Sequence, residues 1–307
     1  MDIPKASTWS KIKPWLIILS AIPAFLLLVI VFQLVVAGIA AFALGYTITE
    51  LHIVQEKSPT LWEIINYSIQ LLSLLVVVKI YWVKIFKINF VSIGFERPKH
   101  AFKELSQGLL LGVGLITSIF LLLLFFKQIE IESVQFPFNH LLFYVFLYLV
   151  VGFNEELLFR GYLLGTTMKL ANKYVVLILF ASLFSFIHFI TNDFSLIPVL
   201  NIFLAGILLG IYYIHTKRLW FSIGLHISWN FFQGPVFGSN VSGTETEQSL
   251  ITQKHLGKEW LTGGDFGFEG SLLMTLLLIL IILYIEFYFR SVSPQNREIK
   301  KAPQKSL

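Results

Sequence analysis

The chain has 307 residues, of which 56% are hydrophobic and 13% charged, with a formal net charge of +5 at pH 7. An ordinary soluble domain carries about 25% charged residues, so the composition is that of an integral membrane protein. The absence of cysteine excludes disulfides, thiolate catalysis and Cys-ligated zinc. The basic residues fall between apolar spans, which reads as membrane orientation and not as a nucleic-acid surface.

Apolar stretches near the ~20-residue length of a membrane helix recur at about 15–44, 62–83, 106–126, 140–168, 174–190, 196–214, 219–237 and 271–289. Lys5, Lys11 and Lys13 ahead of the first resemble the n-region of a signal peptide. The run from Trp15 to Leu44 is far longer than an h-region of roughly 7–15 residues. It therefore reads as a retained helix, with Pro23 as the place for a bend. The first loop holds Glu50, Glu56 and a single Lys57. The second is basic, with Lys84, Lys87, Arg97, Lys99 and Lys103. Lys127 with Glu130 and Glu132, Lys169 with Lys173, Asp193, and Lys217 with Arg218 continue the alternation. The seventh loop is acidic on balance, through Glu245, Glu247, Glu259, Asp265 and Glu269, and the tail is basic again. By the positive-inside rule both termini are cytoplasmic.

The expected architecture is all-α: a polytopic membrane bundle of about eight transmembrane helices, with a motif core at about 140–237 and a polar, disordered tail over 292–307. Residues 84–105 mix apolar and basic side chains and read as an interfacial stretch. The seventh loop, with its Gly/Ser/Thr-rich segment near 238–248 and Gly263-Gly264, reads as a connector, with a flexible lid as the alternative. Gly108/Gly112, Gly161/Gly165 and Gly206/Gly210 are small-xxx-small pairs that mark close helix packing.

Charge inside the fourth span is the exception to this economy. Asn154-Glu155-Glu156-Leu157-Leu158-Phe159-Arg160 places three ionisable groups in apolar sequence, at a cost of roughly 2.5–3.5 kcal/mol each at mid-bilayer. Glu156 and Arg160, four apart, share a helix face and can pair. Glu155 projects ~100° away and has no local partner, which suits a general base. Counted from the cytoplasmic basic residues at ~1.5 Å per residue, Glu155, His188, His226 and Asn230 fall in one membrane layer. His226 and Asn230 also share a face. Singly, a membrane histidine or asparagine is more often interhelical glue, and a buried Glu–Arg pair can be purely structural. Their coincidence on three spans favours a site. Water between Glu155 and His188 could attack a peptide carbonyl, with His226 and Asn230 donating to the oxyanion. Alternatively His188, His226 and Glu155 could ligate a metal such as zinc, although HExxH, paired membrane aspartates and GxSxG are all absent.

The three motifs Glu155-Glu156-…-Arg160, Phe184-…-His188 and His226-…-Asn230, in this order, resemble the EExxxR, FxxxH and HxxxN of the CPBP family. That family comprises type II CAAX prenyl proteases and bacteriocin-processing, Abi-type membrane proteins. Ile93-Gly94-Phe95-Glu96-Arg97-Pro98 is similar to a short segment that these proteins often carry ahead of the motifs. The resemblance implies an eight-helix intramembrane endopeptidase in which Glu155 and His188 activate water. Glu156 and Arg160 would support the base, and His226 with Asn230 would form the oxyanion site. Members are described both as metalloproteases and as glutamate-dependent proteases, so the resemblance leaves zinc and no cofactor both open. The implied partner is a membrane-embedded peptide or protein substrate of CAAX or bacteriocin/pheromone type in the lipid bilayer; the composition and basic tail read as those of a bacterial membrane protein, with a peptide or protein substrate favoured over a prenylated one. A non-catalytic immunity or scaffold protein on the same fold is the competing reading. A proton-coupled transporter finds no inverted repeat to support it.

Overall fold

The computed structural model describes residues 8–292 apart from 46, 48, 49, 51, 97 and 192–195. Lys5, Arg97, Asp193 and the expected polar tail beyond 292 lie outside the described residues. The fold is mostly helical. A helix occupies each apolar segment: α1 (Thr8–Leu44), α2 (Pro59–Val78), α3 (Pro98–Phe125), α4 (Phe138–Glu156), α5 (Lys173–Thr191), α6 (Leu196–Thr216), α7 (Trp220–Phe231) and α8 (Leu272–Val292).

Against the expectation of about eight crossings, six helices among the described residues are long and apolar enough to cross a membrane, and α5 holds a shorter apolar helix, Lys173–Phe189. The remaining one, α7, has 12 residues, prolonged by a π-helical turn at Phe232–Val236. The outer helices show lipid-like surfaces. Leu27, Leu34, Ile39 and Phe42 of α1 and Leu280, Leu283 and Phe287 of α8 are exposed, as expected where lipid is the solvent. The chain is an integral membrane protein. Helix α1 continues through Pro14 and Pro23.

At the centre, every residue of α7 from Phe221 to Asn230 is buried. Glycines let α3 lie directly on it. A Cβ on Gly108 would come within 2.1 Å of the Phe221 carbonyl, and one on Gly224 within 2.4 Å of the Leu105 carbonyl, so these positions exclude any side chain. Gly206 likewise lets α6 meet α5 at Ala181. Gly108, Gly112 and Gly206 thus sit at close backbone approaches between helices, whereas Gly161 and Gly165 face the side chains of Ile93, Leu219 and Tyr213.

Two readings of the loops change. Helix α3 begins at Pro98, so Lys99 and Lys103 are helical. The interfacial stretch shrinks to a 3₁₀ turn at Phe90–Ile93, capped by the Asn89 side chain accepting from the Val91 N–H at 3.1 Å. Proline at the first helical position explains the early start. In addition, the bundle is not purely α. The third and seventh loops pair as an antiparallel ladder, β1 (Ile129–Val134) with β2 (Ile251–His255), in a register that opposes Ile129 to His255 and shifts between Ile131 and Ser133. Ile129-Glu130-Ile131-Glu132 alternates with the strand period of two.

The ladder is one of several ties on the seventh loop. Glu247 accepts from both N–H and Oγ of Thr60 at 2.6 Å, and its own N–H donates to the Tyr144 hydroxyl at 2.8 Å. Gln233 donates to the Asn240 carbonyl at 2.7 Å. The loop is a packed cap over the helix ends.

Candidate active site

The Glu-Glu pair ends α4 where the helix widens into a π segment, Leu157–Leu164. Such widenings are frequent at functional sites because they re-aim successive side chains. The spacing of four still closes the expected pair: Arg160 Nη1 donates to Glu156 Oε1 at 2.9 Å, with both side chains almost completely buried. Arg160 Nη2 reaches the Gly206 carbonyl at 3.3 Å, and the guanidinium lies 4.6 Å from the centre of the Phe184 ring. That cation–π contact gives the phenylalanine of the second motif a physical task. It packs edge-on to Phe159 and lies 4.5 Å from the His188 ring, which links the first two motifs.

The third motif joins at the same carboxylate. His226 Nδ1 lies 2.9 Å from Glu156 Oε1, so Glu156 receives both the guanidinium and the imidazole. A carboxylate oxygen can only accept, so Nδ1 carries the proton and Nε2 faces the other carboxylate. Nε2 is 3.8 Å from Glu155 Oε2. Glu155 Oε2 is buried without a hydrogen bond among the described residues. On α5, His188 Nδ1 lies 2.8 Å from the Phe184 carbonyl, and the same reasoning leaves Nε2 as the acceptor nitrogen.

These groups surround a cavity of about 590 Å³ lined by Glu155, His188, His226 and Asn230. Glu156 and Arg160 stand behind its wall and do not line it. Asn230 is buried. The structure thus brings Glu155, Glu156, Arg160 and His226 into one contact network, with His188 and Asn230 on the same cavity.

Among the described residues no three His, Asp or Glu side chains are grouped so as to hold a metal ion. Glu155, His188 and His226, the candidate ligands, are therefore not gathered into a metal-binding set. His226 is committed to Glu156 through Nδ1, and no step is assigned to a metal.

Two sets of cavity residues escaped the sequence reading. Glu269, counted there as a loop acid, lines the cavity and is buried. It accepts from Trp229 Nε1 at 2.9 Å and from Ser242 N–H and Oγ at 2.6 and 2.9 Å. Burial pushes its carboxyl up from the ordinary range, against the opposing pull of the Ser242 bonds and of His188. Its place three residues before a span is the one local signal of depth. The second set is Glu63, Tyr67 and Gln70 of α2, which line the cavity with Asn154. Their i, i+4, i+7 spacing is a polar stripe on an otherwise apolar helix, and that signal was readable.

Three helices of an apolar bundle thus bring Glu155, His188, His226 and Asn230 to one cavity. Residues 137–232, from the approach to α4 to just past the end of α7, match the family model described as Type II CAAX prenyl endopeptidase Rce1-like. The chain carries an Rce1-like domain over those residues, of a family that hydrolyses peptide bonds. No curated protein and no solved structure matches the chain.

Proposed function

We propose that the protein is an intramembrane endopeptidase that cleaves a membrane-associated peptide or protein, with both termini on the cytoplasmic side. Charge alternation along the loops supports the orientation. The chemistry follows from the two nitrogen assignments. Water sits between Glu155 and Nε2 of His188, and Glu155 takes its proton as hydroxide attacks the carbonyl. The oxyanion receives hydrogen bonds from the Asn230 amide and from Nε2–H of an imidazolium His226. Arg160 and that imidazolium balance the charges of Glu155 and Glu156, so the buried cluster is neutral as a set. Glu155 then passes its proton to the leaving amine.

The observation that carries this reading is the shared Glu156 oxygen, with Arg160 and His226 both at 2.9 Å. It holds His226 with Nε2 towards Glu155 and the cavity. The test is cleavage of a membrane-peptide library by purified protein, wild type beside Glu155→Gln and His188→Ala. Products made by wild type and by neither variant support the assignment. Equal cleavage by Glu155→Gln would remove Glu155 as the base.

A further inference from the structure

A second cavity lies apart from the site. Helix α2 runs on into a π-helical segment, Lys79–Ile85. There an open groove of about 700 Å³ is lined by Leu75, Val83 and Phe90 and by the polar residues Lys79, Lys87 and Asn89. Lys79 stands inside the apolar span Pro59–Ile85, not beyond its end, and is exposed. A lysine on the lipid-facing side of a span is costly unless its ammonium reaches the interface or meets an anion. Among the described residues neither Lys79 nor Lys87 takes part in an ion pair. No aspartate or glutamate lines the groove.

The turn that closes the groove is held from behind. Trp82 is buried, and its Nε1 donates to the Asn89 carbonyl at 3.0 Å. The Ile88 N–H bonds back to the Trp82 carbonyl at 3.0 Å. Asn89 commits its Oδ1 to the Val91 N–H at 3.1 Å, so its amide NH₂ is what it can offer a ligand. Two ammonium groups and an amide NH₂ are all donors. Their complement is an anion with several acceptor oxygens. Leu75, Lys79 and Val83 follow at intervals of four along α2 and its extension, so the groove runs from within the span towards the turn carrying Lys87 and Asn89. A lipid has that layout, with its chains in hydrocarbon and its phosphate at the edge. The basic second loop assigns this end of α2 to the cytoplasm, where the leaflet carries anionic lipid.

We propose that the groove binds one anionic phospholipid, its phosphate held by Lys79, Lys87 and the Asn89 amide and a chain lying along Leu75 and Val83. A free anion would leave the apolar half of the lining without a partner. The site does not depend on the peptidase chemistry, although α2 also walls the cavity through Glu63, Tyr67 and Gln70.

Binding of dioleoylphosphatidylglycerol and of dioleoylphosphatidylcholine to full-length protein in an uncharged detergent, followed by native mass spectrometry, tests this. Wild type should favour the anionic lipid by at least about tenfold. Lys79→Gln with Lys87→Gln should bring that preference below about twofold. Lys79→Arg with Lys87→Arg should keep it, an outcome that a misfolded groove would not give. Lys84→Gln with Lys103→Gln removes the same charge beside the same loop but outside the groove, and should also keep it. Glycerophosphoglycerol, the headgroup without chains, should fail to compete. No preference in wild type, or a preference that survives Lys79→Gln with Lys87→Gln, overturns the site. An equal loss in the Lys84/Lys103 pair would mean diffuse attraction to a basic surface, and equal binding of the chainless headgroup would mean a free-anion site; either overturns the lipid assignment.

Discussion

The two walls of the cavity handle negative charge in opposite ways. On the α4–α7 wall Glu156 is fully buried and receives Arg160 and His226 on one oxygen. On the α2 wall Glu63 lines the open space, half-buried, with Tyr67 and Gln70 on the same helix face. A buried charge with dedicated partners is part of the frame and orients its neighbours. An acceptor surface without partners is complete only when something else arrives. The contrast separates positioning groups from groups that meet substrate, although all are glutamates in apolar helices.

The largest effect that could break this division is on turnover. Glu155→Gln keeps shape and loses the base, and kcat should fall by about 10²–10⁴, with little change in peptide affinity; a fall in affinity alone would place Glu155 with Glu63 instead. Next comes Arg160→Ala, which strands Glu156 in a dry site and should destabilise the protein by about 3–5 kcal/mol, read by thermal or denaturant unfolding. Arg160→Met combined with Glu156→Gln should cost less than Arg160→Ala alone, since no charge is then left behind. Unchanged stability in Arg160→Ala would end the framework role. Glu269→Ala tests the cap. It removes the acceptor of Trp229 Nε1 and of the Ser242 N–H, and about 1–3 kcal/mol should be lost per stranded donor. Loss of proteolytic resistance in the 238–271 loop is the matching readout.

Much of the fold was legible because a bilayer imposes one simple demand, a long apolar run, and all eight runs became helices. The short α7 shows the limit of that demand. Its burial comes from neighbours on several sides, so length alone says little about whether it crosses. The motif residues were legible because charge in apolar sequence is conspicuous. The link from His226 to Glu156 was not, since it joins residues 70 apart and depends on how α7 leans on α4. Glu269 was hidden for a related reason: as a loop acid its depth is set by Trp229 and Ser242, which fold over it. Strand β1 and the Glu63 stripe were written in the local pattern, the first with period two and the second at helical spacing. Long apolar runs overshadow such short signals.

The smallest effect is the one that separates the walls most sharply, because it concerns sign. Removing a charge from Glu156 leaves Arg160 and His226 facing a neutral group, so Glu156→Gln should lower stability. Glu63→Gln removes a half-buried charge that has no partner to lose. The desolvation cost of that charge disappears with it, so the ligand-free variant should be as stable as wild type or more stable, by less than about 1 kcal/mol. Unfolding curves of the two ligand-free proteins, each beside wild type, read the two signs. A clear loss of stability in ligand-free Glu63→Gln would mean that Glu63 is already partnered and belongs to the frame, and the distinction between the walls would fall.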